Sequence, residues 1–279
     1  MKYLNISAYH FKNLAAEALP QLRYHLKEKA LELKLKGTIL LSSEGINLFL
    51  AGLPTAIGEF QAFLKSETEF KELIYKDSYS EEQPFTRMLV RIKQEIIAFG
   101  QEGIAPVHEK APYVEPEQLK HWYDEGKDMI ILDTRNDYEL RLGTFKNAVD
   151  LKIKHFRAFP EAIQKLPASF RKKPIVTFCT GGIRCEKAAQ YMRKAGFEEV
   201  YQLEGGILNY FEKCGGAHYE GECFVFDKRV AVDPGLRETN TIQCYACRSP
   251  LTVAEQQNSP GVCPYCGHTK FLKSQWMNG

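Results

Sequence analysis

Apolar and polar positions alternate weakly over 3–9, the period of a half-buried strand. Over 13–33, Leu14, Ala18, Leu22, Leu26, Ala30 and Leu33 recur at helical spacing, and Gly37 ends the pattern. Two short apolar runs, 38–41 and 46–50, predict strands joined by Ser42-Ser43-Glu44-Gly45. Pro54 opens a second helix running to about Lys65, since proline in a first turn gives up only an N–H that has no helical partner. Residues 73–79 and 88–97 predict two more strands. Strand–helix–strand–strand–helix–strand is the split βαβ order of a ferredoxin-like α+β unit, here spanning 1–102 with one strand added.

The pattern then changes. Residues 103–116 carry Pro106, Pro112 and Pro116 with little periodicity and read as a linker. From 117 to 214 helices and strands alternate: helix 117–124, strand 129–133, strand 148–151, helix 157–165, strand 174–178, helix 184–195, strand 200–203. Such alternation predicts a parallel sheet with helices on both faces. Residues 215–279 are loop-rich and hold most of the cysteines.

The 279 residues suffice for two domains or three small ones, and 44% hydrophobic content excludes wholesale disorder. Lys and Arg number 37 against 35 Asp and Glu, so overall charge does not mark a nucleic-acid binder. The longest stretches free of these residues, 45–58 and 256–269, are 14 residues each, too short to span a membrane. The N-terminus lacks the apolar core and cleavage site of an export signal, so the expected location is cytoplasmic. In that reducing setting the eight cysteines, none before Cys179, are expected as metal ligands or reactive groups rather than disulfides.

Two cysteine segments carry chemistry. Cys179-Thr180-Gly181-Gly182-Ile183-Arg184 lies between a buried strand and a helix. Gly181 and Gly182 let such a loop curl until several backbone N–H groups converge, and the helix N-terminus adds positive potential. A sulfur at that focus is favoured as a thiolate or anionic adduct, and Arg184 is placed to hold an anionic substrate or stabilise the adduct. Cys185 follows at the helix start, either as a resolving thiol or packed against the sheet. In the second segment, Cys244-x2-Cys247 and Cys263-x2-Cys266 form two knuckles, the spacing of a closed four-thiolate structural zinc site. His268 is an alternative fourth ligand; Cys214 and Cys223 fit no metal spacing and read as structural. Basic groups at Lys152, Lys154, His155 and Arg157 and at Arg171, Lys172 and Lys173 either contact phosphates or line solvated helix edges.

The central region resembles the rhodanese superfamily. Cys179, Gly182 and Arg184 fall on its Cys-x-x-Gly-x-Arg loop, and Asp133-Thr134-Arg135 on its Asp-x-Arg. The stretch from Gly143 to Ala148 resembles its Gly-His-Ile-x-x-Ala with Thr144 in place of His. Leu203-Glu204-Gly205-Gly206 matches its Leu-x-Gly-Gly, with Tyr210 where Trp is common. The resemblance implies a persulfide or analogous covalent state on Cys179.

Three further stretches narrow it: Ser43-Glu44-Gly45-Ile46-Asn47, the run from Met88 to Ile96, and Gly221-Glu222-Cys223-Phe224-Val225-Phe226-Asp227. With the Cys179 loop and the paired knuckles, they resemble the rhodanese-domain tRNA uridine(34) hydroxylases over nearly the whole chain. That implies an acylphosphatase-like N-terminal domain, an α/β rhodanese-like domain and a cysteine-rich zinc-binding tail. It also implies oxygen-dependent conversion of the wobble uridine in a tRNA anticodon loop to 5-hydroxyuridine, without haem, flavin or nucleotide cofactor, membrane or obligate protein partner. Two chemistries stay open: the Cys179 thiolate adds to uracil C6, or an oxygenated sulfur or persulfide delivers oxygen to C5. The alternatives are a sulfurtransferase carrying a cysteine persulfide and a non-catalytic RNA-binding scaffold.

Overall fold

The structure, a computed structural model, describes residues 2–66 and 68–271; the end of the sequence-delimited tail, 272–279, lies outside them. The N-terminal unit is a sheet of β1 (Tyr3–Phe11), β2 (Lys36–Ser42), β3 (Gly45–Gly52), β4 (Lys76–Ser80) and β5 (Met88–Ile92), in spatial order β4-β1-β3-β2-β5. The first four pair antiparallel, and β5 adds to β2 in parallel, so the split βαβ order with an extra strand is what forms. Helices α1 (Leu19–Glu32) and α2 (Pro54–Ser66) cover one face only. Ile6, Ala8, Ile39, Leu41 and Leu48 pack there against Leu26, Ala30, Ile57 and Phe60. Phe60 is fully buried, and truncating such a side chain costs about 3–5 kcal/mol. The pleat turns Ser7, Tyr9, Thr38, Leu40, Asn47 and Phe49 to the opposite face, which carries no helix of its own.

Boundaries differ from the sequence pattern for local reasons. α1 starts at Leu19 rather than 13, because Pro20 in its first turn lacks the N–H that would continue a helix from upstream; Ala16–Ala18 makes a single 3-10 turn instead. β4 starts at Lys76 rather than 73. β5 ends at Ile92 rather than 97, because the next residues leave the sheet and bury Ile96 against Phe11 and Ile183 of the central unit.

The central unit contributes β6 (Tyr113–Val114), β7 (Ile130–Asp133), β8 (Gly143–Phe145), β9 (Val149–Asp150), β10 (Ile175–Phe178) and β11 (Val200–Leu203). All but β8 form a parallel sheet in the order β6-β11-β10-β7-β9. Its helices are α3 (Pro116–Asp124), α4 (Asp137–Leu140), α5 (Phe159–Gln164), α6 (Ile183–Lys194) and α7 (Gly206–Cys214). Ile130, Leu132 and Ile175 pack on α5 and α6, while Ile131, Val176 and Phe178 pack on α3 and α7, so both faces are covered. Of the stretch 103–116 that the sequence pattern gives as a linker, 103–112 hold no strand or helix, but the end differs: Tyr113–Val114 is an edge strand paired to β11, and Pro116 opens α3. Pro112 and Pro116 bracket that edge, where proline is tolerated because no further strand needs its N–H. Neither α4 nor α7 was anticipated: α4 is too short to show a period, and Gly205-Gly206 before α7 reads as a breaker.

The tail is tied to both units. Its β12 (Tyr219–Gly221) pairs with β8, β13 (Cys223–Phe224) with β14 (Ala231–Val232), and β15 (Ile242–Gln243) with β16 (Pro250–Leu251), followed by α8 (Val253–Asn258). Arg229, gripped by Asp227, donates to Ser78 Oγ of β4 at 2.8 Å. No described helix is long and apolar enough to cross a membrane.

Between the two larger units the buried Lys187 Nζ lies 2.8 Å from Glu95 and 2.9 Å from Glu44, and donates to the carbonyl of Ile97. Two of the stretches that carry the narrower resemblance, around Glu44 and Glu95, thus meet on one lysine of α6.

Candidate active site at the domain interface

The Cys179 loop leaves the carboxyl end of β10 and runs into α6, the position where parallel sheets bind ligands. Cys179 is buried, and Gly182 N–H donates to its Sγ at 3.1 Å. Gly182 has φ +98°, a left-handed conformation that L side chains rarely adopt, and a Cβ there would stand 2.9 Å from Tyr9 Oη. The loop's carbonyls are satisfied from below: Ile207 N–H donates to Cys179 O and Leu208 N–H to Thr180 O. Gly206 permits this approach, since a Cβ would come within 2.4 Å of Cys179 O.

Burial alone would raise the Cys179 pKa. A hydrogen bond from Cys185, the charge of Arg184, and backbone N–H groups of Arg184 and Gly182 outweigh it and bring the thiol down to about 5. Cys185 moves the other way: burial first, then the hydrogen bond and charge of Cys179, raise it well above an ordinary thiol. Cys185 is thus a buried protonated donor, with Thr134 Oγ1 3.8 Å from its sulfur.

Arg184 is not free. Its two terminal nitrogens hold the buried carboxylate of Glu139 at 2.6 and 2.8 Å. Burial opposes ionisation of Glu139, but the Arg184 charge wins and keeps its pKa below the ordinary carboxylate value. Arg184 therefore lends its charge to the loop while its fork is occupied. Glu139, 45 positions away, gave no sequence signal. Thr180 Oγ1 lies 3.4 Å from the same carboxylate. Below the loop Arg135 pairs with Asp133, donates to Gly143 O at 2.7 Å, and Thr144 donates to Asp133 at 2.9 Å. Asp133-Thr134-Arg135 thus braces the strand ends rather than facing a ligand.

The N-terminal sheet roofs this loop. Its open face and the Cys179 loop enclose a cleft of about 1300 Å³, lined by Tyr9, Phe49, Lys76, Cys179, Arg184 and Phe226 among others. Tyr9 donates to Glu186 Oε1 at 3.1 Å, and Tyr113 donates to the same oxygen at 2.7 Å. Burial, then the Glu186 charge, hold the Tyr9 pKa well above its ordinary value, so it stays a neutral phenol against the loop. Lys76, Lys93, His155 and Arg157 also line the cleft, and among the described residues none of them pairs with a carboxylate. A nearly neutral chain therefore places several basic side chains together on the wall of this cleft. Of the basic groups noted in the sequence, His155 and Arg157 reach it; Arg171 instead donates to Ala195 O, and Lys173 pairs with Asp128. Tyr9, Phe49, Lys76 and Phe226 also line the cleft, and the sequence motifs single out none of them.

The second cluster lies in the tail. The sulfurs of Cys244, Cys247, Cys263 and Cys266 all lie within 4.8 Å of one another, with Cys244–Cys266 at 3.6 Å and Cys247–Cys263 at 3.7 Å. A tetrahedron with metal–sulfur bonds of about 2.3 Å has edges of about 3.8 Å, so the donors fit such an ion. His268 is half-buried and not part of the cluster.

These features define a class: a rhodanese-type protein whose cysteine loop is roofed by a second, acylphosphatase-like domain. Comparison with known proteins agrees. Residues 3–96 match the family described as UPF0176 acylphosphatase like domain, and 115–213 match the Rhodanese-like domain. Proteins named tRNA uridine(34) hydroxylase are similar over nearly the whole length. That of Cupriavidus taiwanensis is 50% identical, covering 95% of this chain and 97% of the relative. Those of Cupriavidus pinatubonensis and Burkholderia cenocepacia are each 48% identical, covering 95% of this chain and 97% and 98% of theirs. The chain belongs to the tRNA uridine(34) hydroxylase family.

Proposed function

We propose that the protein hydroxylates C5 of the wobble uridine in a tRNA anticodon loop, with Cys179 as the reacting group. The observation that carries this is a low-pKa cysteine on the floor of a two-domain cleft whose wall carries Lys76, Lys93 and Arg157. The cleft suits an unstacked nucleotide, and an anticodon loop supplies one at less cost than a duplex. Lys76, Lys93 and Arg157 offer charge to the RNA backbone, with His155 beside them. Cys179 supplies a thiolate nucleophile, and the N–H groups of Gly182 and Arg184 stabilise negative charge on it. Thr180, Gly181 and Ile183 complete the loop around that sulfur.

Molecular oxygen is the co-substrate in this scheme. One atom enters the base and the other leaves as water, so two electrons and two protons come from a thiol-class reductant. Cys244, Cys247, Cys263 and Cys266 would hold one zinc ion with no open position, so its contribution is to fold the tail. The working division is an N-terminal domain over 1–102, the rhodanese domain over 117–214 with its edge strand Tyr113–Val114 just before it, and the cysteine-rich region from 215, acting in the cytoplasm.

Nucleoside mass spectrometry of tRNA from cells lacking the protein, complemented with wild type or Cys179→Ala, tests the proposal. Wild type should restore 5-hydroxyuridine and Cys179→Ala should not. Restoration by Cys179→Ala would assign a scaffold role. Cyanide turnover with thiosulfate and no change in tRNA would assign a sulfurtransferase.

A further inference from the structure

Phe226 is the anomaly of the cleft. It sits in the tail segment between β13 and Arg229, whose bond to Ser78 ties that segment to the N-terminal sheet. It remains 46% exposed although its neighbours Phe224 and Val225 are buried. Its ring is nevertheless held from several sides. Phe224 meets it edge-on with centroids 5.2 Å apart, Phe49 of β3 is tilted at 6.2 Å, and the Arg184 guanidinium lies 5.8 Å from its centroid. A large apolar ring left open in a cleft, yet fixed by neighbours, is preorganised to receive a flat partner.

We propose that Phe226 is the stacking platform for the target base, with Lys76 as the cation beside it. This deepens the tRNA uridine reading and rests on it. Lys76 lines the same cleft, with its ammonium 5.3 Å from the Tyr9 ring centroid. Burial lowers its pKa, and the charge of Cys179 opposes this, which places the amine within electrostatic reach of the reacting sulfur. Phe226 stands against the Arg184 guanidinium and lines the same cleft as Cys179, so a base stacked there shares the cleft with the thiolate. Stacking reads every base alike, so the slot holds the base while other contacts choose it. The three walls come from β3, β4 and the tail, which gives the tail a role at the site besides metal binding.

The test uses full-length protein and an anticodon-loop RNA hairpin, carrying either uridine or an abasic residue at position 34. Binding is read by fluorescence anisotropy and product by mass spectrometry. Phe226→Ala and Phe226→Leu should each weaken binding of the uridine hairpin about tenfold or more and raise KM similarly. Phe226→Trp should stay near wild type, and alkylation of Cys179 by a small reagent should be unchanged in all three. On the abasic hairpin, Phe226→Ala should lose little further. Full rescue by Leu would mean apolar packing rather than stacking, and an equal loss on the abasic hairpin would mean backbone contact; either overturns the proposal. If wild type binds with this pattern but forms no 5-hydroxyuridine, the base slot stands and the hydroxylase reading fails.

Discussion

Lys187 of α6 lies 2.8 Å from Glu95 of the N-terminal domain, three residues after Arg184 has bound Glu139 within the rhodanese domain. Between them Glu186 accepts from Tyr9. The start of α6, from Arg184 to Lys187, therefore braces both the Cys179 loop and the roof above it. Lys187→Met leaves Glu44 and Glu95 without their cation. Because both carboxylates are about one-fifth exposed, the expected loss is about 2–4 kcal/mol, below that of a fully buried pair. Thermal unfolding should show a lower Tm and tRNA modification should fall, with Lys187→Arg intermediate. An unchanged Tm would remove the interdomain role.

The Arg184–Glu139 pair is buried on both sides, so deleting either partner strands a charge. Arg184→Met and Glu139→Leu should each cost about 3–5 kcal/mol, and the double variant less than the sum. Urea denaturation of all four proteins gives the coupling; simple additivity would contradict the geometry.

Cys179 should alkylate with an acid-shifted profile. Its pKa is lowered, so the thiolate dominates above about pH 5 and the rate falls as pH drops through that value. Cys214 is raised by burial, so its rate should climb only at alkaline pH. The measurement needs metal-loaded protein, because Cys247 and Cys266 are exposed and compete when free. Removing the Cys185 donor with Cys185→Ala should shift the Cys179 profile toward higher pH while tRNA modification is largely retained. An unshifted profile would show that the loop N–H groups and Arg184 suffice.

One metal ion per chain should be found by elemental analysis, and it should be zinc. Chelation should loosen the region from Ile242 onward, seen as faster amide exchange there, and leave β7 and β10 protected. Uniform protection after chelation, or clearly substoichiometric metal, would count against a structural ion.

Local chemistry made part of this protein legible. The turn from β10 into α6 requires a positive φ at Gly182 and a helix start at once, and neighbouring residues encode both. The two knuckles are equally local, and their four sulfurs converge as the spacing implies. The split βαβ order was readable because its strands alternate and its helices carry stripes. Pro20 shows the reverse: the apolar stripe reaches upstream to Leu14, but one missing N–H keeps the helix from starting before Leu19.

By itself, the sequence marked the Cys179 loop, the four cysteines that cluster in the tail and much of the order of the elements, because each depends on residues a few positions apart. Only the tertiary structure decided what surrounds Cys179. Glu139, Tyr9, Lys76 and Phe226 reach the cleft from separate segments. Whether Tyr9 faces the loop or the core depends on the register of β1, where a one-residue slip would turn it to the other face. The charge balance behaves the same way: near-equal totals say nothing about position, and only the fold brings Lys76, Lys93 and Arg157 from separate segments to one cleft.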